Sequence, residues 1–191
     1  EQFNKDQAQY EEDLKAYEEA MAQYEADLEQ FNEDTQSYED YLAAQPQVNA
    51  SAEAQALQLT IEGEDAELRS SPSLYARYDH ASPSTVPYDV YHTVLNYIGG
   101  DPWNTAGQWI EWEINAPASG LYKIALRTLQ DFVSGGNAYR CLTIDGEVPF
   151  REFEAVGFPF ESDWKRFVPG GENPYMGYLT EGERVIRLSV T

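Results

Sequence analysis

The chain has one cysteine, two histidines, and only 12 lysines and arginines against 34 aspartates and glutamates. Each scarcity removes a class of function. The single Cys141 cannot build an internal disulfide framework, and its place in an alternating apolar run points to burial rather than reactivity. His80 and His92 stand at no spacing, to each other or to carboxylates, that marks a metal site, and they read as ordinary loop histidines. The formal net charge of -22 makes nucleic acid and anionic membrane surfaces poor partners and leaves neutral ligands or cationic ones. No run of about 18 apolar residues occurs, so direct membrane insertion of a helix is not expected. No nucleophile elbow, phosphate loop or metal-protease motif is present, and no acidic pair is singled out for glycoside hydrolysis, so the chain is expected not to be an enzyme. It carries neither an initiator methionine nor a charged-then-apolar leader, and reads as a piece of a longer protein.

What is there is enough for a core: 191 residues, 42% hydrophobic and 14% aromatic, room for one or two domains. No proline or glycine appears before Pro46, and Ala, Glu, Gln, Leu and Lys dominate that stretch, so a helix is expected over residues 1–44. Phe3, Tyr10, Tyr17, Tyr24, Phe31 and Tyr38 fall seven apart, and Leu14, Met21, Leu28 and Leu42 each follow an aromatic by four. This is a coiled-coil heptad with aliphatics at a and aromatics at d, broken in the a column by Gln7 and Thr35. Its g column holds Asp6, Asp13, Asp27 and Asp34, and its e column Glu11, Glu18, Glu25 and Glu39. Any self-pairing sets carboxylate against carboxylate, so homo-oligomers are expected to be weak or absent. The expected partner is a helix with basic edges, supplied by sequence following Thr191, with the rest of the chain inserted at the tip of an antiparallel hairpin. The alternatives are a helix folded back on that remainder and a free-standing stalk.

Pro46 ends the helical pattern, and the small polar residues of 45–56 suit a linker. From Leu57 the period becomes two. Ile110, Trp112 and Ile114 share one face, as do Tyr122, Ile124 and Leu126, and Ile186, Leu188 and Val190. Core packing is the preferred reading of Trp112. Turn signals separate these runs, including "IDGE" as a two-residue hairpin and "APASG" as a link suited to an antiparallel pair. Residues 57–191 are therefore expected to form an antiparallel β-sandwich or barrel.

The stretches "LTIEGEDAEL", "GQWIEWEINAPASGLYKIALR" and "GYLTEGERVIRLSV" resemble the galactose-binding-like jelly roll of carbohydrate-binding module families six and thirty-five. With "SSPSLYARYDHASPSTVPYD" and "RCLTIDGEVPF", the pattern is similar to a domain of large extracellular solute-binding proteins of ABC importers from Gram-positive bacteria. The resemblance covers nearly all of residues 59–190. It implies a mainly β jelly roll at a bacterial cell surface, acting as a non-catalytic accessory domain that binds carbohydrate by aromatic stacking. The alternative function is a stalk or scaffold that makes protein contacts.

The resemblance also implies a structural calcium site at Glu62 and Glu64, two carboxylates two apart on a strand, although the family's further acidic ligand has no counterpart in Ser189–Thr191. It places Phe167 and Trp164 beside a cleft shared with Tyr97 and Trp103. Trp103, in the loop "GGDPWNTAG", is the best aromatic platform for a pyranose, with a loop anchor as its plainer role. The segment "SSPSLYARYDHASPSTVPYDVYH" carries Tyr88 and Tyr91 as candidates for a lid or binding rim.

Overall fold

The helix-forming run at the N-terminus folds as two helices, α1 (Gln2–Asp34) and α2 (Tyr38–Ala44). The computed structural model describes residues 2–34, 36–46 and 58–191, so most of the linker expected over 45–56 lies outside the described residues. The single helix expected over 1–44 is divided by Ser37, which sits in extended backbone as the N-cap of α2. Its hydroxyl oxygen accepts the Asp40 amide at 3.3 Å and lies 2.7 Å from the Asp40 carboxylate, while Glu39 and Asp40 place negative charge at the helix start. The chain forms two units, 1–36 and 37–191, so α2 belongs with the β-strands. Among the described residues no helix is long and apolar enough to cross a membrane.

Along α1, Lys15 faces Glu19, and Gln7, Gln9 and Gln23 donate to Glu11, Asp13 and Asp27 one turn on. Tyr10, Leu14, Tyr17, Met21 and Tyr24, the described heptad residues from 10 to 24, are all exposed.

The second unit is antiparallel β. Its strands are β1 (Leu68–Arg69), β2 (Ala76–Arg77), β3 (Tyr97–Ile98), β4 (Trp109–Ala116), β5 (Gly120–Lys123), β6 (Leu126–Thr128), β7 (Asn137–Ile144), β8 (Val156–Pro159), β9 (Lys165–Phe167), β10 (Met176–Leu179) and β11 (Gly182–Val190). One five-stranded sheet runs β1-β4-β11-β7-β8, and three ribbons pair β5 with β10, β6 with β9, and β2 with β3. Even-numbered residues of the main sheet face inward: Ile110, Ile114 and Ala116 of β4, Leu142 and Ile144 of β7, and Leu188 and Val190 of β11 are buried. They meet Leu179, Tyr122, Leu126 and Phe167 from the ribbons, which makes two layers over one core. At Gly177 the layers come so close that a Cβ would collide with Ile144 Cδ1.

Tyr122, Ile124 and Leu126 do share the core face, but they sit on two strands. The chain leaves β10's partner strand β5 at Lys123 and joins β9 through β6 at Leu126. Likewise "APASG" makes no hairpin between β4 and β5. It carries the chain from the main sheet to the ribbon layer beside the β10–β11 turn, and the Ser119 hydroxyl accepts the Glu181 amide at 2.9 Å to tie the two crossings. "IDGE" is the hairpin turn expected, with Asp145 at φ 53° and Gly146 at φ 87°, and paired Ile144–Glu147 backbone bonds.

α2 closes an otherwise open strand edge. The Tyr38 hydroxyl accepts the Met176 amide at 3.1 Å and the Tyr41 hydroxyl accepts the Tyr178 amide at 2.7 Å, the alternate β10 amides that do not point to β5. Tyr38 and Tyr41 also pack their rings on Phe150, which is fully buried with Phe153. Burial is the main reason both phenols titrate above their ordinary value.

Candidate functional site

The segment between β1 and β4 is long and mostly irregular, yet it is held by a compact polar lattice. β2 and β3 pair Arg77 with Tyr97, and the Asn96 amide just before β3 donates to the Arg77 carbonyl at 2.8 Å. Asn96, only 7% exposed, accepts the Asp79 amide on its side-chain oxygen at 2.7 Å and donates to the carbonyls of Asp79 and Pro87, both at 3.0 Å. One buried asparagine, by backbone and side chain together, therefore gathers residues 77, 79 and 87. Asp79 in turn accepts the Trp164 indole N–H at 2.8 Å, which ties this segment to the approach to β9.

The same two segments meet at Asp163. Its carboxylate accepts hydroxyls from Ser82 and Ser84 and the Trp164 amide, and the first of these bonds is the main cause holding its carboxyl below the ordinary aspartate range. Arg127 of β6 donates to the Ser84 carbonyl. Trp164 is thus fixed from both ends, by Asp79 at the indole and by Asp163 at the backbone. Its ring lies 5.4 Å from that of Tyr97, tilted by 53°.

The segment that supplies Asp79 is rich in tyrosine. Tyr78 and His80, on either side of Asp79, hold their rings 4.8 Å apart, and the Tyr88 hydroxyl reaches the His80 carbonyl at 3.5 Å. Asp89 accepts the Tyr91 and His92 amides and the His92 ring, an arrangement that lowers its carboxyl's pKa chiefly through the imidazole. Tyr91 is 91% exposed, and Tyr78 and Tyr88 are exposed as well. Tyr97 and Trp164 are themselves half-buried.

Of the residues expected in a ligand site, Tyr97 and Trp164 are brought into ring contact, and Tyr88 and Tyr91 are exposed in the segment that supplies Asp79. Trp103 does not offer an open face: it is half-buried against both core clusters, and its indole N–H donates to the Gln108 carbonyl at 3.4 Å. The Arg140 guanidinium lies 4.6 Å above its ring and donates to its carbonyl at 2.8 Å, and Gly99, at φ 95°, leaves room that a Cβ 2.8 Å from the ring would take. Trp103 anchors its loop. Phe167 turns into the core, its ring 4.6 Å from Phe158. It also lines an open cleft of about 630 Å³ with Arg166, Gly170 and Tyr175, none of which is among the residues expected to bind ligand. Trp112 packs against the core and donates its indole N–H to the Gly63 carbonyl at 2.9 Å.

Glu62 and Glu64 lie on a 3₁₀ turn, Gly63–Asp65 with Glu62 as its cap, and not on a strand. The same-face alignment expected for calcium is therefore lost. Burial raises the Glu64 carboxyl, with further contributions from the Glu62 and Asp65 charges, and among the described residues no group of three or more His, Cys, Asp or Glu is gathered for an ion. A hard cation takes six or more oxygens, and this turn does not fit that demand. Cys141 is half-buried, and burial raises its thiol's pKa, which disfavours the thiolate.

Asn96 and Asp79 organise the site, and sequence reasoning gave neither a defined role. Asp79 stood within the aromatic segment noted as a rim, but its partner Trp164 is 85 residues away.

No protein-family model and no curated protein matches the chain. Among solved structures it is similar to a native family 35 carbohydrate-binding module from Clostridium thermocellum, with a TM-score of 0.49 and 21% identity over 68% of this chain and 83% of that one. It is also similar to a cycloisomaltooligosaccharide glucanotransferase from Paenibacillus sp. in complex with cycloisomaltoheptaose (TM-score 0.48, 22% identity, 68% of this chain), of which the match spans only 15%. A Podospora anserina GH26-CBM35 β-(1,4)-mannanase matches with a TM-score of 0.47 and 16% identity over 70% of this chain and 24% of that one.

Proposed function

We propose that the β unit is a non-catalytic carbohydrate-binding module that takes a neutral sugar on the Trp164–Tyr97 surface. The observation that carries this reading is the aromatic pair itself, half-buried and fixed by Asp79 and Asp163, with exposed Tyr78, Tyr88 and Tyr91 in the segment that supplies Asp79. A pyranose has one apolar face and a rim of hydroxyls, and it needs both a ring to stack on and polar groups that fix its orientation. Here the Trp164 and Tyr97 rings are pre-positioned, so little of their side-chain freedom is lost on binding. The excess of carboxylates disfavours anionic sugars.

The sequence resemblance over residues 59–190 supports an extracellular setting at a bacterial cell surface, as an accessory domain of an ABC-importer solute-binding protein. Affinity at so shallow a surface is weak by itself and is offset by tethering to other domains. The second reading, a stalk or scaffold, is favoured by the exposed aromatic stripe of α1.

Glycan-array screening followed by affinity gel electrophoresis tests the proposal. A retained neutral polysaccharide should release Trp164→Ala and Tyr97→Ala, each weaker by roughly 30-fold. Tyr91→Ala should weaken retention less, because that ring stands clear of the pair. No retention on any glycan refutes sugar binding and leaves the scaffold reading.

A further inference from the structure

The apolar stripe of α1 has no counterpart elsewhere in its unit, which contains that one helix. Tyr10, Tyr17 and Tyr24 are 65%, 62% and 61% exposed, and Leu14 and Met21 between them are exposed as well. A lone helix in water gains little from such a seam, because helical stability in proteins comes mainly from packing an amphipathic face. The seam therefore asks for an occupant, and its edges restrict the choice. Glu11, Glu18 and Glu25 follow the tyrosines on one side, Asp13 and Asp27 flank the aliphatic column on the other, and all five are exposed. Residues 2–34 carry eleven carboxylates against two lysines, Lys5 and Lys15. In either orientation a second copy would set these carboxylates against one another at neutral pH.

We infer that the Tyr10–Tyr24 seam of α1 is a docking surface for an amphipathic helix with an apolar stripe and Lys or Arg at its edges. The tyrosine rings supply the apolar contact, and their hydroxyls reach the rim, where lysine and arginine heads also lie. Basic edges turn each flanking carboxylate from a repulsive neighbour into an attractive one, so charge selects the partner while the rings hold it.

The test uses the full chain and two helical peptides of about four heptads, both with Leu at a and Ala at d, one with Lys at e and g and the other with Glu there. Sedimentation velocity should give a monomer at pH 7.5 and low salt. Fluorescence anisotropy should show the Lys peptide bound and the Glu peptide not, with binding weakened by salt. Met21→Glu, which puts a charge in the seam, should weaken the Lys peptide at least about 30-fold, whereas Glu19→Lys, outside the seam, should change it by less than about threefold. A stable dimer of the chain at pH 7.5 would assign the seam to a second copy and overturn the inference. So would failure of the Lys peptide to bind, or equal binding to Met21→Glu, which would mark charge attraction without docking.

Discussion

Tyr41→Phe isolates one atom on which the edge of the β unit depends. The Tyr41 hydroxyl accepts the Tyr178 amide at 2.7 Å, and Tyr41 is itself buried with its ring on Phe150. Removing the oxygen keeps the ring contact and leaves a half-buried amide without its acceptor, which costs about 1–2 kcal/mol. For a unit of this size a kilocalorie moves the midpoint by about 2–4 °C, so Tyr41→Phe should melt roughly 2–8 °C lower. Tyr41→Ala also empties the space against Phe150 and should cost about 3–5 kcal/mol. Tyr24→Phe in α1 serves as the control and should leave the midpoint unchanged, because that hydroxyl is exposed. Deleting residues 1–35 should spare the main transition, whereas deleting 1–46 removes both tyrosines and should lower it more than Tyr41→Ala does. The assay is thermal unfolding by circular dichroism, with hydrogen exchange at the Tyr178 amide as the local readout. A Tyr41→Phe midpoint within 1 °C of wild type, with that amide equally protected, would refute the edge-capping argument.

Further expectations concern charge. Glu111 is buried on the outer face of the main sheet, where Arg187 both bonds it at 2.7 Å and lies 4.3 Å over the Trp109 ring. Arg187→Ala leaves that carboxylate unpaired and should cost about 3 kcal/mol by urea unfolding, and Glu111→Gln in the same chain should recover part of the loss. Glu64 has its carboxyl raised above 4.5, so it binds its proton more tightly in the folded chain, and stability falls as pH rises through the window above that value. Glu64→Gln should therefore be at least as stable as wild type at pH 7 and equal to it below pH 4.5, and millimolar calcium should shift neither midpoint by more than about 1 °C. Asp163 is shifted the other way, so its contribution holds above the ordinary aspartate value of 3.8 and is lost as pH falls below it. Asp163 should accordingly stay ionised across pH 5–8 and add no pH dependence to sugar retention in that window.

Much of the fold is legible in the sequence because burial on a pleated strand repeats every second residue. Ile110, Ile114, Leu188 and Val190 face the core as their alternation predicts. The "IDGE" turn is legible for a local reason, since its two central residues need positive φ. The start of α2 is also written locally, in "SYED", where the Ser37 hydroxyl caps the Asp40 amide, although the heptad continues across it with Tyr38 next in the aromatic column. Tyr38 keeps the seven-residue spacing but anchors the β unit. Partner exchange between β5 and β6 has no such signal, because alternation continues unbroken from Tyr122 to Leu126 and the break is set by which strands lie alongside. The candidate site was half legible. Exposed tyrosines announce themselves by composition, whereas the bond from Trp164 to Asp79 joins residues that only the folded chain brings together. Trp103 shows the converse, since a tryptophan between two turn signals looks like a platform until Gly99 and Arg140 are seen to enclose it.

The most direct measurement follows the four tryptophan indole N–H signals by NMR while a neutral oligosaccharide, chosen from the array, is titrated in. Trp164 should shift progressively with sugar, because its ring and that of Tyr97 form the proposed stacking face, while Trp103 and Trp112, which pack against the core, stay in place. Movement of Trp103 with Trp164 unchanged, or no movement with any neutral sugar, would contradict the account.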